Sequence, residues 1–206
     1  MVAKERTDAT RVRLFTALDL PDDVRNALAA WQRRGLGDPA LRPMRPEALH
    51  VTLVFLGAQP DRAIARITEI VDSLEPRPVE LRFDPQPSPI PKGRPRLYAA
   101  GGRSDSAERL HRELSDAFEA ARLLKPEKRS FWPHVTVARV RSERLPPGEG
   151  ERRGRGRSRK VAEPPARLPR ALTEPFGAIR LSLYRSNLKP QGAEYELLHG
   201  VDLPSP

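Results

Sequence analysis

Two stretches of the chain, HVTLVFLG at residues 50–57 and HVTVARV at residues 134–140, open with the same His-Val-Thr. Each triplet heads an apolar run of strand length, and the sequence holds four histidines in all. Side chains alternate between faces in an extended strand, so His50 and Thr52 project to one side, about 6.6–6.8 Å apart along it. Val51, Leu53 and Phe55 are expected on the other side, filling a core. The same alternation sets His134 and Thr136 against Val135 and Val137. A chain with this pattern must fold so that two strands each keep one dry face and one face open for chemistry.

The surrounding segments supply the means. Residues 11–19, RVRLFTALD, read as a strand with Val12, Leu14, Thr16 and Leu18 on one face. Pro21, Asp22 and Asp23 then open a helix with Val24, Leu28 and Trp31 as its buried stripe, ended by Gly35 and Gly37. Ile64, Ile67, Val71 and Leu74 have helical spacing after the first histidine run. Ala107, Leu110, Leu114, Phe118 and Ala121 mark a third helix that stops before Pro126. Residues 78–84 and 94–100 read as weaker strands, Ile179, Leu181 and Leu183 as another, and residues 193–198 as the last. This alternation predicts an α+β fold over residues 1–206 as one domain. It is bilobal in expectation: two pseudo-symmetric lobes from a diverged duplication, each giving one histidine strand.

Charge is distributed unevenly. The chain carries 37 Lys and Arg against 27 Asp and Glu, a net +10 that favours polyanionic partners. Residues 141–170 hold ten basic and four acidic residues among many Gly and Pro, with almost no large apolar side chain. Such composition does not bury enough surface to offset the entropy of ordering. The segment is therefore expected to be a disordered basic insertion. The absence of cysteine excludes disulfides and thiolate metal sites. No apolar run reaches the roughly 18 residues of a membrane span, and the charged N-terminus has no signal-peptide pattern. A monomer in the cytoplasm is expected.

Two imidazoles and two hydroxyls around one anion suit the opening of a phosphodiester. One imidazole takes a proton from the attacking water and the other gives one to the departing oxygen. A neutral and a cationic imidazole coexist near neutrality because the ordinary pKa of histidine is about 6.5. Thr52 and Thr136 are placed to donate to the non-bridging oxygens as charge builds there. No cofactor is called for, and the acids near the motifs do not complete a metal-ligand set.

These features resemble the bacterial and archaeal RNA 2′,3′-cyclic phosphodiesterases, once named 2′-5′ RNA ligases, of the two-histidine phosphoesterase superfamily. The residues that carry the resemblance are Arg13-Leu14-Phe15, HVTLVFLG, Arg96-Leu97-Tyr98-Ala99-Ala100, FWPHVTVARV at 131–140, Leu183-Tyr184-Arg185-Ser186, Gly192 and Tyr195. The resemblance implies antiparallel sheets with helices outside, a cleft between the lobes, and metal-independent opening of an RNA-terminal cyclic phosphate to a 2′-phosphate. It also implies His50 as proton donor and His134 as proton acceptor. RNA with cyclic phosphate ends, or small cyclic nucleotides, would be the partners.

Three further residues are candidates for substrate binding. By similarity to the family, Arg139 contacts phosphate or nucleotide, although strict alternation puts it opposite His134; a bulge or strand end after Ala138 would reconcile the two. Phe131 and Trp132 are placed to stack a base, with packing against the neighbouring helix as the alternative for at least one. His111 and His199 lack the motif and read as ordinary surface residues. Two rivals stand beside the leading reading. One is a related 2′-5′ or cyclic nucleotide phosphodiesterase or RNA ligase. The other is a non-catalytic RNA-binding module gripping through the arginine-rich segment.

Overall fold

The first strand is β1 (Arg11–Asp19), and Asp22 and Asp23 occupy the first turn of α1 (Asp22–Gly35), where carboxylates meet the positive end of the helix dipole. The computed structural model describes residues 10–125, 129–143, 157–189 and 192–206. A short β2 (Leu41–Pro43) leads to the first histidine strand, β3 (His50–Pro60), and then to α2 (Ala63–Asp72). β4 (Glu80–Leu81), β5 (Ser88–Ile90) and β6 (Leu97–Gly101) precede α3 (Asp105–Ala120), whose Ala107 amide is capped by the Ser104 hydroxyl. The second histidine strand is β7 (His134–Val140). It is followed by β8 (Ser142–Glu143), β9 (Arg157–Ser158), β10 (Phe176–Gly177) and the long hairpin of β11 (Arg180–Lys189) and β12 (Gly192–Asp202).

One eight-stranded sheet runs β12-β11-β1-β3-β7-β6-β5, with β2 beside β7, and each of its pairings is antiparallel. The fold is α+β, as the alternating pattern predicts. Strand, helix and histidine strand recur as β1-α1-β3 and β6-α3-β7, and in both units the last strand lies beside the first. The units meet inside the sheet through the pair Val51↔Val135. Leu28 and Trp31 of α1, Ile67 and Val71 of α2, and Leu114 and Phe118 of α3 join Val51, Leu53, Val135 and Val137 in one core. Full burial of side chains of this size stabilises the fold by about 1.5–3 kcal/mol each. Among the described residues no helix is long and apolar enough to cross a membrane.

Both histidine strands are interrupted at the same place. In β3 the register with β1 passes from Thr52↔Ala17 to Val54↔Thr16, leaving Leu53 without an opposite residue. In β7 the register with β6 passes from Thr136↔Ala99 to Ala138↔Tyr98, leaving Val137 unopposed. An extra residue of this kind reverses the alternation beyond it. Phe55, expected in the core, is instead turned out and 71 % exposed. Arg139 is likewise exposed, on the side of its own histidine.

The segment 141–170 needs correction in part. Residues 144–156 lie outside the described residues. Residues 157–170, expected to be disordered with the rest, are built into the fold. The Asp38 carboxylate accepts hydrogen bonds from the Ala162 and Glu163 amides, the Gly35 carbonyl accepts from the Ala166 amide, and Leu168 is buried in the core. Anchoring here rests largely on hydrogen bonds to main-chain groups, those from Trp31 and Gln86 included, with Leu168 buried and Val161 packed against the core, and composition undercounts such contacts.

Candidate active site

The bulges and the Val51↔Val135 pair together shape the site. Antiparallel pairing centred on those valines directs His50 towards Thr136 and Thr52 towards His134. Beyond each bulge, Phe55 and Arg139 return to the same side. All six side chains line a single cleft of roughly 500 Å³. Sequence reasoning singles out five of them, and the sixth, Phe55, it assigns to the core.

His134 is held firmly. Its Nδ1–H donates to the Trp132 carbonyl at 2.7 Å, and its ring stacks on the Trp132 indole with centroids 4.7 Å apart. A carbonyl only accepts, so in the neutral ring the proton resides on Nδ1 and the lone pair on Nε2. Gly101 is the register partner of His134, and a Cβ there would stand 2.3 Å from the Trp132 ring. The absence of a side chain at Gly101 is what lets the indole lie against the imidazole.

His50 sits in an aromatic enclosure. Phe15 stacks on it at 5.1 Å, Tyr184 at 5.9 Å, and Tyr195 meets it edge-on at 5.1 Å. Burial among these rings pushes its pKa from 6.5 down to about 4; the Asp19 carboxylate opposes that shift and charge on His134 adds to it. Asp19 is the register partner of His50 and is itself buried. Its carboxylate accepts from Arg180 Nε and Ser182 Oγ, both at 2.8 Å, and from the Tyr184 hydroxyl at 2.8 Å. Burial first, and then the Asp19 charge, push the Tyr184 phenol up to about 12, which keeps it a donor. This cluster satisfies a buried charge while fixing the ring that stacks on His50.

The remaining candidates are placed as follows. Phe131 stacks on His111 of α3 at 4.3 Å, the packing alternative read from the sequence, and both residues line the cleft. His111 is thus not the plain surface residue expected. His199 makes a 2.6 Å contact with the Asp72 carboxylate and does not line the cleft. Asp19, Tyr184 and Tyr195 escape the sequence reading as parts of a site. The available signal is Asp19 itself, a carboxylate ending an otherwise apolar run and therefore in need of buried partners. Among the described residues no group of three or more His, Asp or Glu side chains is placed to hold a metal ion.

Comparison with known proteins adds the context. The family model of the 2′-5′ RNA ligase superfamily matches residues 20–147, a span holding both His-x-Thr motifs. The chain is similar to the RNA 2′,3′-cyclic phosphodiesterase of Thermus thermophilus, 27 % identical over 209 residues that cover 93 % of this chain and 90 % of the relative. A protein of the same name from Methanocaldococcus jannaschii is 23 % identical over 190 residues, covering 91 % of this chain and 98 % of the relative. The crystal structure of TT0787 of Thermus thermophilus superposes with a TM-score of 0.72 at 27 % identity, covering 93 % of this chain and 97 % of that one. Escherichia coli LigT shares the fold with a TM-score of 0.68 at 22 % identity, covering 94 % of this chain and 98 % of its own. The structural likeness covers a larger share of the chain than residues 20–147, which the family model matches.

Proposed function

The chain belongs to the 2′-5′ RNA ligase superfamily, and from that premise we propose that it hydrolyses the 2′,3′-cyclic phosphate at an RNA end to a 2′-phosphate. The relatives named RNA 2′,3′-cyclic phosphodiesterase support the substrate class. The observation that carries the reading is the convergence of two imidazoles and two threonine hydroxyls on one cleft, one imidazole being oriented with a free Nε2.

The reaction divides between the two halves. His134 Nε2 takes a proton from water as its oxygen attacks phosphorus. The bond from phosphorus to the 3′-oxygen breaks, and the His50 imidazolium gives that oxygen its proton. The phosphate remains on the 2′-oxygen. Thr52 and Thr136 donate to the non-bridging oxygens, and Arg139 adds a charge-assisted contact. Each proton transfer is of a kind that contributes about 10²–10⁴-fold.

His50 presents a conflict that the substrate resolves. Before substrate binds, its pKa of about 4 leaves it neutral near pH 7, with no proton to give. A phosphodiester between the two histidines brings one negative charge within contact distance, which favours the cation. Proton uptake at His50 thus accompanies substrate binding.

The test is turnover of a short RNA ending in a 2′,3′-cyclic phosphate, with a chelator present and the product position identified. Expected is a 2′-phosphate, formed without added metal and lost in His50→Ala and His134→Ala. Recovery only on adding a divalent metal, or full activity in both variants, would overturn the reading. The second result would leave the binding-module rival.

A further inference from the structure

We propose that Asp19, opposite His50 on the neighbouring strand, is a positioning residue for the acid half of the reaction: its buried carboxylate is the counter-charge against which the His50 imidazolium forms. The inference rests on the reading of His50 as proton donor to a cyclic phosphate and adds what stabilises that proton.

The pseudo-symmetry of the site isolates the feature. Each histidine strand pairs with the first strand of its own unit, β3 with β1 and β7 with β6. Directly opposite residues of such a pair share a face, with Cβ atoms about 4.5–5.5 Å apart. The residue opposite His134 is Gly101, and the Trp132 indole fills the space that a side chain there would take. The residue opposite His50 is Asp19. The two units thus match in histidine and threonine and differ in what lies beside the imidazole, an indole in one and a carboxylate in the other. A base must start neutral, which a neighbouring anion opposes. An acid must start as the cation, which a neighbouring anion favours.

The carboxylate is held so that it keeps its charge. Asp19 is buried, and a buried carboxylate stays ionised only when it is paired and hydrogen-bonded. Its Oδ2 accepts from Arg180 Nε and Ser182 Oγ and lies 2.7 Å from Arg180 Nη2. Its Oδ1 accepts from the Tyr184 hydroxyl, and the ring of that tyrosine stacks on His50. One oxygen is therefore tied to the cation and the other to the wall of the His50 enclosure. The Arg180 side chain is 34 % exposed, against 5 % for that of Asp19, so water weakens the field of the guanidinium more than that of the carboxylate.

The other charged or titratable groups around His50 are Tyr184 and Arg180 on β11, Tyr195 on β12, and His134 with Arg139 on β7; His111 and Arg129 also line the cleft. Among these described groups Asp19 is the one carboxylate. Burial lowers the His50 pKa most, Asp19 acts against it, and His134 adds to it. A bound phosphodiester brings a second negative charge. The imidazolium then has one anion on the strand beside it and another in the cleft, and the two together offset its burial.

Two variants of opposite sign test this. Asp19→Asn keeps the size and an acceptor but removes the charge. Arg180→Gln removes the cation that offsets it, while Ser182 and Tyr184 still donate to the carboxylate. Ring titration of His50, followed by NMR with no substrate present, should move to lower pH in Asp19→Asn and to higher pH in Arg180→Gln, from about 4 in wild type. The alkaline limb of kcat on an RNA-terminal cyclic phosphate should shift with the same pair of signs. At about pH 8 Asp19→Asn should lose roughly 10-fold or more in kcat, the low end of what an opposite charge does to proton affinity. It should keep most of its rate on a nitrophenyl phosphodiester, whose leaving group needs no acid. A merely structural role predicts equal losses at each pH and on both substrates. That result, or limbs that move in the same direction, would overturn the proposal. If thermal melting shows Asp19→Asn unfolded, Arg180→Gln decides alone, and a His50 titration unmoved or moved down rejects Asp19 as the counter-charge. Turnover intact with unmoved titrations likewise rejects Asp19 alone. Opposite titration shifts without cyclic-phosphate turnover uphold the counter-charge and reject the reaction alone.

Discussion

The side-chain amide of Gln32, on α1, donates to the carbonyl of Val137 at 2.7 Å, across 105 positions of sequence. Val137 is the bulged residue of β7, and the same amide also reaches the Met44 carbonyl at 3.1 Å. Gln32 is therefore a second donor to the Val137 carbonyl, which also accepts from the Met44 amide at 3.1 Å, and the bulge it braces is what turns Arg139 into the cleft. Replacing it with leucine leaves the amide's role unfilled in a buried place. Gln32→Leu is expected to lose about 1–3 kcal/mol of stability, read from urea melts, and to lower kcat/KM in the folded fraction. Unchanged kinetics would show that the bulge holds without Gln32.

His50 makes stability depend on pH in a definite sense. Its folded pKa of about 4 lies below the unfolded value of about 6.5. As pH falls, the unfolded chain takes the proton first. The contribution of neutral His50 is thus complete above about pH 6.5 and drains between 6.5 and 4, by about 3 kcal/mol in full. His50→Asn should flatten that part of the stability profile, measured by urea unfolding between pH 7.5 and 4.5. Parallel profiles for variant and wild type would place the acid sensitivity elsewhere.

The same displacement should separate two kinetic profiles. kcat/KM reports groups of the free enzyme and kcat those of the complex. If His50 must carry a proton to act, its alkaline limb appears low in kcat/KM and at higher pH in kcat, because the bound anion favours the cation. Coincident limbs would contradict proton uptake on binding.

How far the sequence reveals this site depends on distance along the chain. His50 with Thr52, and His134 with Thr136, were readable because two-residue periodicity is local and holds up to the bulge. Phe55 was not, because the bulge at Leu53 depends on pairing with β1. For Arg139 alternation and family similarity conflict, and the bulge at Val137, supported by a glutamine from a distant helix, settles its side. The enclosure of His50 is less accessible still. Asp19 meets Arg180, Ser182 and Tyr184 across more than 160 positions, with no local pattern linking them. Residues 157–170 mislead for another reason: their anchoring is by main-chain groups, which composition does not register.

Gly101 predicts a defect made by adding one methyl. A Cβ there would stand 2.3 Å from the Trp132 ring and 3.0 Å from His134 Cβ, so the indole that stacks on His134 must move, and it belongs to the residue whose backbone carbonyl orients His134. Overpacking of this kind costs about 1–3 kcal/mol, and a displacement near 1 Å at a reacting group costs about 10²-fold in rate. Gly101→Ala should therefore fold with a lowered melting temperature and turn over poorly, while Gly93→Ala, where a Cβ meets open space, serves as the control.

The two histidines, equivalent in motif, should be distinguishable by leaving group. Water attacks in line, so base and acid act on opposite sides of phosphorus, and one histidine from each half of the sheet meets that need. His134 has its Nδ1 proton committed to the Trp132 carbonyl and its Nε2 lone pair free, the arrangement of a base. His50 has no such orientation and gains its proton with the substrate. A ribose oxygen leaves poorly unless protonated, whereas a nitrophenolate leaves readily without help. His50→Ala should lose about 10²–10⁴-fold on a cyclic phosphate and recover much of that loss on a nitrophenyl phosphodiester. His134→Ala should stay impaired on both, because water needs a base in either case. Steady-state rates of the two variants on the two substrates decide it: selective rescue of His134→Ala would exchange the roles, placing the base in the aromatic enclosure and the acid beside Trp132.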